Sequence, residues 1–298
     1  MANHSQAPAR HPALGTALLT ALAMLAFAAN SLLCRIALQE GSIDPASFGA
    51  IRLAAGAAAL VLVMRLQPRP RAERAGDWPA AAMLFLYVAG FSFAYLLLPA
   101  GSGALILFGT VQLTMLAAGL LAGERFTAAG WLGLALATGG LVLLLLPCVA
   151  APSPTGAALM AVAGVAWGVY SLRGRGRGAA QADPLAATGG NFMRATPLGI
   201  ALWLGWAARS HADAHGVALA LASGALTSGI GYVIWYAALP RLKALQAASV
   251  QLSVPLIAAL GGMLLLDEAF TARLALAAVA ILGGIALVLG KGRFTRPS

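Results

Sequence analysis

Gly123-Glu124-Arg125-Phe126-Thr127 and, 144 positions later, Asp267-Glu268-Ala269-Phe270-Thr271 carry the same acidic-x-Phe-Thr ending. After each Thr come eleven residues and then a Gly-Gly pair followed by apolar residues, Gly139-Gly140-Leu141-Val142-Leu143 and Gly283-Gly284-Ile285-Ala286-Leu287. In a chain of 298 residues, each copy closes one half. The sequence is an internal duplication, and every later reading starts from that.

Composition decides the solvent. Hydrophobic residues make up 60% and charged residues 9%, with a mean hydropathy of +0.85. A soluble domain is roughly 25% charged, so this chain lacks the polar surface to dissolve and reads as an integral membrane protein. The net charge of +10 does not mark a nucleic-acid binder, because the arginines are scattered between apolar runs with no aromatic-basic face. Cys34 and Cys148 lie far apart at apolar helix ends and make neither a disulfide framework nor a metal spacing. The histidines (His4, His11, His211, His215) fall in the N-terminal tail or in one loop, so no intramembrane ligand set is expected, and no cofactor.

Runs of about 20 apolar residues, the length that crosses a hydrocarbon core of ~30 Å, recur ten times. The expected spans are 14–38, 45–66, 78–99, 101–121, 128–147, 154–174, 184–206, 215–238, 244–266 and 272–290, with polar tails at 1–13 and 291–298. Ala26-Phe27-Ala28 resembles a signal-peptidase site. Phe27, Ser31 and Arg35 are nevertheless matched 140 positions later by Trp167, Ser171 and Arg175, so the first span reads as part of the fold and retained. Asp44-Pro45 and Asp183-Pro184 each open a span: Asp caps the free N–H groups and Pro has none to lose.

Ten spans put both termini on one side. That side collects Arg10, Arg65, Arg69, Arg71, Arg74, Arg125, Arg173, Arg175, Arg177, Arg241, Lys243, Lys291, Arg293 and Arg296, against Arg35, Arg209 and Arg273 opposite. The bias makes both termini cytoplasmic. Five helices per half is odd, so the second half enters the membrane from the other face. The expected fold is all-α: two five-helix inverted-topology repeats, 14–147 and 154–290. That is the architecture of alternating-access transporters, which hold a small-molecule substrate near mid-membrane between the halves.

Two five-helix halves, each ending in an acidic-x-Phe-Thr turn and a Gly-Gly helix, resemble the drug/metabolite transporter superfamily in its EamA-type branch. The resemblance covers essentially the whole chain. Within the branch, the chain looks most like the YddG family of amino-acid exporters. It implies an inner-membrane, multi-pass exporter of aromatic and other neutral amino acids, such as Met and Thr, and of small metabolites. The chain departs from symmetry where Val111 aligns with Pro255, so the halves need not bend alike. A monomer in the lipid bilayer is expected, with no nucleic-acid partner.

Intramembrane polar residues are costly and mark function. Candidate substrate-binding residues are Asn30 and Ser31 in span one, Tyr87 and Tyr95 in span three, and Trp167 in span six. Asn191 and Arg194 follow in span seven, Tyr232 in span eight and Gln251 in span nine. Phe27 and Trp167 are equivalent in the two halves. Tyr87, Phe91 and Tyr95 form one stripe at spacings of four, and Tyr232, Trp235 and Tyr236 another. Arg194 with Asn191 is preferred to Arg52 as counter-charge to a substrate carboxylate. Pro255 and Pro197 are the expected kinks or hinges. Glu124 and Glu268 read as structural, capping the next helix N-terminus.

All nine acidic residues fall in loops or at helix ends. A carboxylate proton relay has nothing to run on, so facilitative or exchange transport is expected. The same lack of titratable groups in the spans excludes an enzyme, which needs an acid, base, nucleophile or metal in reach. The alternative is an exporter of drugs or lipid-like metabolites, or an organophosphate exchanger using Arg52 and Arg194.

Overall fold

The computed structural model describes residues 12–66, 76–121, 123, 127–145, 153–176, 183–242, 250–251, 253–269 and 271–291. These hold ten helices: α1 (Pro12–Gln39), α2 (Pro45–Leu66), α3 (Trp78–Tyr95), α4 (Ala100–Leu121), α5 (Ala128–Leu145), α6 (Pro154–Gly176), α7 (Pro184–Trp206), α8 (Ala214–Ala238), α9 (Ser253–Leu266) and α10 (Ala272–Lys291). Glu124, Cys148 and Ser249 lie outside the described residues.

Aspartates start four of these helices. Asp44 Oδ1 accepts from the N–H groups of Ala46 and Ser47, and Asp77 from Ala80; Asp183 accepts from Leu185 and Asp213 from Gly216. Each satisfies a donor that the first helical turn leaves free. At Asp213 the Gly216 N–H holds the carboxyl below its usual range.

α1, α2, α3, α4, α6 and α8 are long and apolar enough to cross a membrane, yet only about half of each is buried. Leu121, Leu264 and Val279 point outward, as do Trp78 and Trp131 near helix starts. Outward leucines with tryptophans at helix ends suit lipid and its interfaces. α7 is less apolar because Thr188, Asn191, Arg194 and Thr196 fill its first half.

Two expected boundaries move, and one span changes its winding. α3 ends at Tyr95, not 99, since Leu97 turns back on Ala94 O and Pro99 disfavours helix at the residue before it. α8 is not a uniform α-helix: Ser223–Ile230 winds as π-helix. The ninth span is interrupted, because Gln251 sits in a turn and α9 begins at Ser253. Pro255 is therefore the third residue of α9, where a missing N–H costs no helical bond. The kink expected there is a helix start, and the break falls at Gln251.

The duplicated segment has a plain structural meaning. Gly123 and Asp267, at equivalent positions, both adopt positive φ (82° and 51°), which stops α4 and α9. Thr127 Oγ1 then accepts from Gly130 N at 3.2 Å, and Thr271 Oγ1 from Leu274 N at 3.1 Å, capping α5 and α10. Thr therefore caps the next helix in both copies, and in the second copy Glu268 does not. The Gly-Gly pairs bring α5 and α10 together: a Cβ on Gly140 would press on Ala280 and Ile281, and one on Gly284 on Gly133 and Ala137.

α5 and α10 pack mainly on each other, and the other eight helices interleave. α1 lies against α8 and α9, as α6 lies against α3 and α4; α2 faces α7, and α4 faces α9. Exchanging each helix with the one five places later returns these same pairings.

Candidate substrate site

Arg52 organises the centre. It stands on α2 between Gly49 and Gly56, one helical turn to either side, so that face of α2 is thin and its neighbours come close. A Cβ on Gly56 would run into Phe192, and one on Gly224 of α8 into the Arg52 carbonyl. Arg52 is consequently 0% exposed. Its Nε donates to Ser228 Oγ at 2.9 Å, and its Nη2 to the hydroxyls of Tyr87 at 3.0 Å and Tyr232 at 3.1 Å. The guanidinium carbon lies 5.0 Å from the Tyr87 ring centre and 4.9 Å from that of Phe91. Its Nη1 has no hydrogen-bond partner among the described residues.

The π-segment of α8 supplies the rest of the network. With i→i+5 spacing, Ser223, Thr227 and Ser228 turn together toward Asn30 of α1. Asn30 Oδ1 accepts from Ser223 Oγ at 2.7 Å and lies 3.2 and 3.5 Å from the hydroxyls of Thr227 and Ser228. Asn30 Nδ2 donates to Tyr87 Oη at 3.3 Å. Two buried polar layers, one on α1 and one on α2, are thus tied through Tyr87.

Next to this network is an aromatic cluster with Trp167 of α6 at its middle. The Trp167 ring centre is 4.7 Å from Tyr232, 5.1 Å from Tyr87 and 5.6 Å from Phe27. Its Nε1 donates to Gln251 Oε1 at 3.2 Å, so the break in the ninth span presents Gln251 to the cluster. The rings enclose a cavity of about 10 Å³, walled by Phe27, Ser31, Tyr87, Phe91 and Phe108 from one half and Trp167 and Tyr232 from the other. That is room for about one water. In this conformation the chamber is too small for an amino acid.

Two ion pairs link the halves, one on either side of this cluster. Arg35, at the end of α1, donates through Nε to Glu268 Oε1 at 3.3 Å and through Nη1 to Tyr95 O at 2.9 Å. Both Glu268 oxygens accept from Ala100 N at 2.9 Å, so Glu268 caps α4 of the other half. At the far end Arg173 of α6 donates to Asp77 Oδ1 at 3.2 Å, while Asn191 Oδ1 accepts from Asp77 N at 3.0 Å. Each pair is partly shielded, with side chains 14 to 34% exposed.

The model of the EamA-like transporter family matches this chain twice, over residues 14–146 and 154–290. The chain belongs to the EamA-like transporter family. It is a membrane transporter of small molecules. It is 55% identical over 274 residues to "Uncharacterized protein PA1977" of Pseudomonas aeruginosa strain PAO1, covering 92% of this chain and 94% of that one. A crystal structure of another protein, 21% identical, superposes with a TM-score of 0.69 over 93% of this chain and 98% of its own. At that identity the likeness speaks for the fold alone.

In this EamA-like transporter the candidate residues separate into groups. Ser31, Tyr87, Trp167 and Tyr232 line the chamber, Gln251 touches it through Trp167, and Asn30 backs Tyr87. Tyr95 is buried one ring further out against Phe91, its hydroxyl 3.4 Å from Ala100 O, at the Arg35 end. Asn191 is at the opposite end, donating to Tyr170 Oη as well as holding Asp77. Arg194 donates to Gly190 O of its own helix and is only partly buried. Pro197 sits inside α7, which continues unbroken to Trp206. Arg52, ranked behind Arg194 by sequence, is the buried cation beside the chamber. The signal that would have found it is Gly49 and Gly56 on its own face, since small residues mark a protein-facing side of a membrane helix.

Proposed function

We propose that the protein exports amino acids, aromatic and other neutral ones such as Met and Thr, across the inner membrane by alternating access. The reading rests above all on the aromatic chamber, walled by both halves and flanked on either side by an ion pair between them. A substrate site at the interface of two repeats, with separable contacts on either side, is what alternating access requires. The main helix pairings, kept on exchanging helices five apart, support two repeats, and five helices per half makes them inverted. The Lys and Arg distribution supports cytoplasmic termini, which makes the Arg173–Asp77 end cytoplasmic and the Arg35–Glu268 end outer. Rings of Phe27, Tyr87, Trp167 and Tyr232 suit an apolar or aromatic side chain, because aromatic pairs contribute about 0.5–1.5 kcal/mol beyond area burial.

Among the described residues every Asp and Glu lies at a helix end or in a connection, so export is facilitative, down the substrate gradient. Proteoliposomes given radiolabelled Phe, Met or Thr should show saturable uptake that an imposed pH gradient leaves unchanged. Accumulation driven by the gradient would contradict the uncoupled mechanism, and absence of uptake for all three would contradict the amino-acid reading.

A further inference from the structure

The centre of the protein has too many hydrogen-bond donors and too little negative charge. Arg52 brings five N–H groups and no acceptor, is wholly buried, and is paired with no carboxylate among the described residues. Its Nη1 has no partner among the described residues. Tyr87 Oη already accepts from Arg52 Nη2 and Asn30 Nδ2, and Tyr232 Oη accepts from Arg52 Nη2. Each phenol therefore still has its own proton to give. Tyr87 can give its proton to Tyr232, and Tyr232 its own to Ser228 Oγ, so the donors left over beside these chamber-lining side chains are those of Arg52 Nη1. Asn30 Oδ1, the obvious acceptor nearby, is taken up by the hydroxyls of α8. A buried cation without a counter-ion is strongly unfavourable. In this conformation the Tyr87 and Phe91 rings offset part of that by cation–π contact.

We infer that Arg52, with the hydroxyls of Tyr87 and Tyr232, is the carboxylate-recognition end of the substrate site, so that the transported class is small molecules with a free carboxylate beside an apolar group. The inference rests on the chamber being the substrate site. A carboxylate brings the acceptors and the charge that the cluster lacks, and a guanidinium fork matches its geometry. Trp167 and Phe27, which pack against these tyrosines and line the same chamber, take the apolar group. An amine without a carboxylate leaves the donors unanswered and adds a second positive charge.

The test is equilibrium binding to the purified full chain in detergent, followed by tryptophan fluorescence. The probes are L-phenylalanine, 3-phenylpropionate (ring and carboxylate, no amine), phenethylamine (ring and amine, no carboxylate) and inorganic phosphate. Phenylalanine and phenylpropionate should bind on the order of tenfold or more tightly than phenethylamine, from the strength of charged hydrogen bonds. Arg52→Met should abolish that preference, Arg52→Lys should keep part of it, and Tyr232→Phe, which removes one donor and little volume, should reduce it. Equal binding of all three ring compounds, or an unchanged preference in a monodisperse Arg52→Met protein, overturns the inference. So does phosphate binding in preference to phenylpropionate, which points to an organophosphate carrier. Transport separates the two readings. If proteoliposomes take up phenylalanine and phenethylamine alike, the exporter stands without this site. If phenylpropionate binds through Arg52 but no amino acid is taken up, the site stands and the amino-acid reading falls.

Discussion

Gly224→Leu should prevent the protein from folding to a monodisperse species. A Cβ on Gly224 would meet the Arg52 carbonyl oxygen and come within 2.9 Å of Ala55 Cβ. The first is backbone and cannot swing aside, so α8 must move off α2. That separation breaks the Arg52 Nε to Ser228 Oγ bond of 2.9 Å and opens the buried charge to nothing better. Overpacking of a tight interface costs about 1–3 kcal/mol and sometimes more, and here the loss of a charged hydrogen bond adds on the order of 1.5–3 kcal/mol. The control is Gly139→Ala, where nothing lies within 4 Å of the added methyl; its stability should stay within about 0.5 kcal/mol of wild type. Thermal unfolding in detergent, read with size-exclusion profiles, checks both. A Gly224→Leu protein as stable as Gly139→Ala would mean that α2 and α8 do not touch at Arg52.

Glu268→Gln should open the Arg35 end. The substitution keeps an oxygen for Ala100 N but removes the charge that faces Arg35, whose side chain is only 15% exposed. Removing one partner of a shielded pair leaves an uncompensated charge that water relieves by entering. We expect a shift of about 2 kcal/mol toward the open end, roughly thirtyfold in its population. Cys34, fully buried beside Arg35, is a built-in reporter. In a Cys148→Ser background, maleimide should modify Cys34 far faster in Glu268→Gln than in Glu268. Equal rates would show that this ion pair does not hold the end shut.

Much of the architecture was legible because its signals are local. Apolar length marks a span, and Asp before Pro marks its start with a hydrogen bond that the structure contains at Asp44 and Asp183. The repeated acidic-x-Phe-Thr stretch was legible as a repeat but was assigned the wrong chemistry. Its Thr caps the following helix, while Glu268 reaches Ala100, 168 positions away in sequence. No local pattern encodes such a partner. The π-segment of α8 was hidden for a related reason: Ser223–Ile230 reads as ordinary apolar helix, and its partners Gly56 and Asn30 are far away in sequence. Similarly, Tyr87 and Tyr95 share one stripe on α3, but only Tyr87 reaches the chamber, because Phe91 stands between them. Arg52 and Arg194 look alike as single cations inside spans. Their fates differ through Gly49 and Gly56, which let three helices close over Arg52, while Arg194 turns back to its own backbone.

Ser31 is the place to test whether the chamber is a transport path. It lines the cavity, and in a Cys34→Ser, Cys148→Ser background Ser31→Cys leaves a single thiol there. A membrane-impermeant maleimide is applied to proteoliposomes or oriented vesicles from one side and then from the other, with and without L-phenylalanine. Alternating access predicts modification from either side, slowed by saturating phenylalanine in both cases. Modification from one side only, or rates indifferent to phenylalanine, would contradict a substrate chamber that opens in turn to both faces of the membrane.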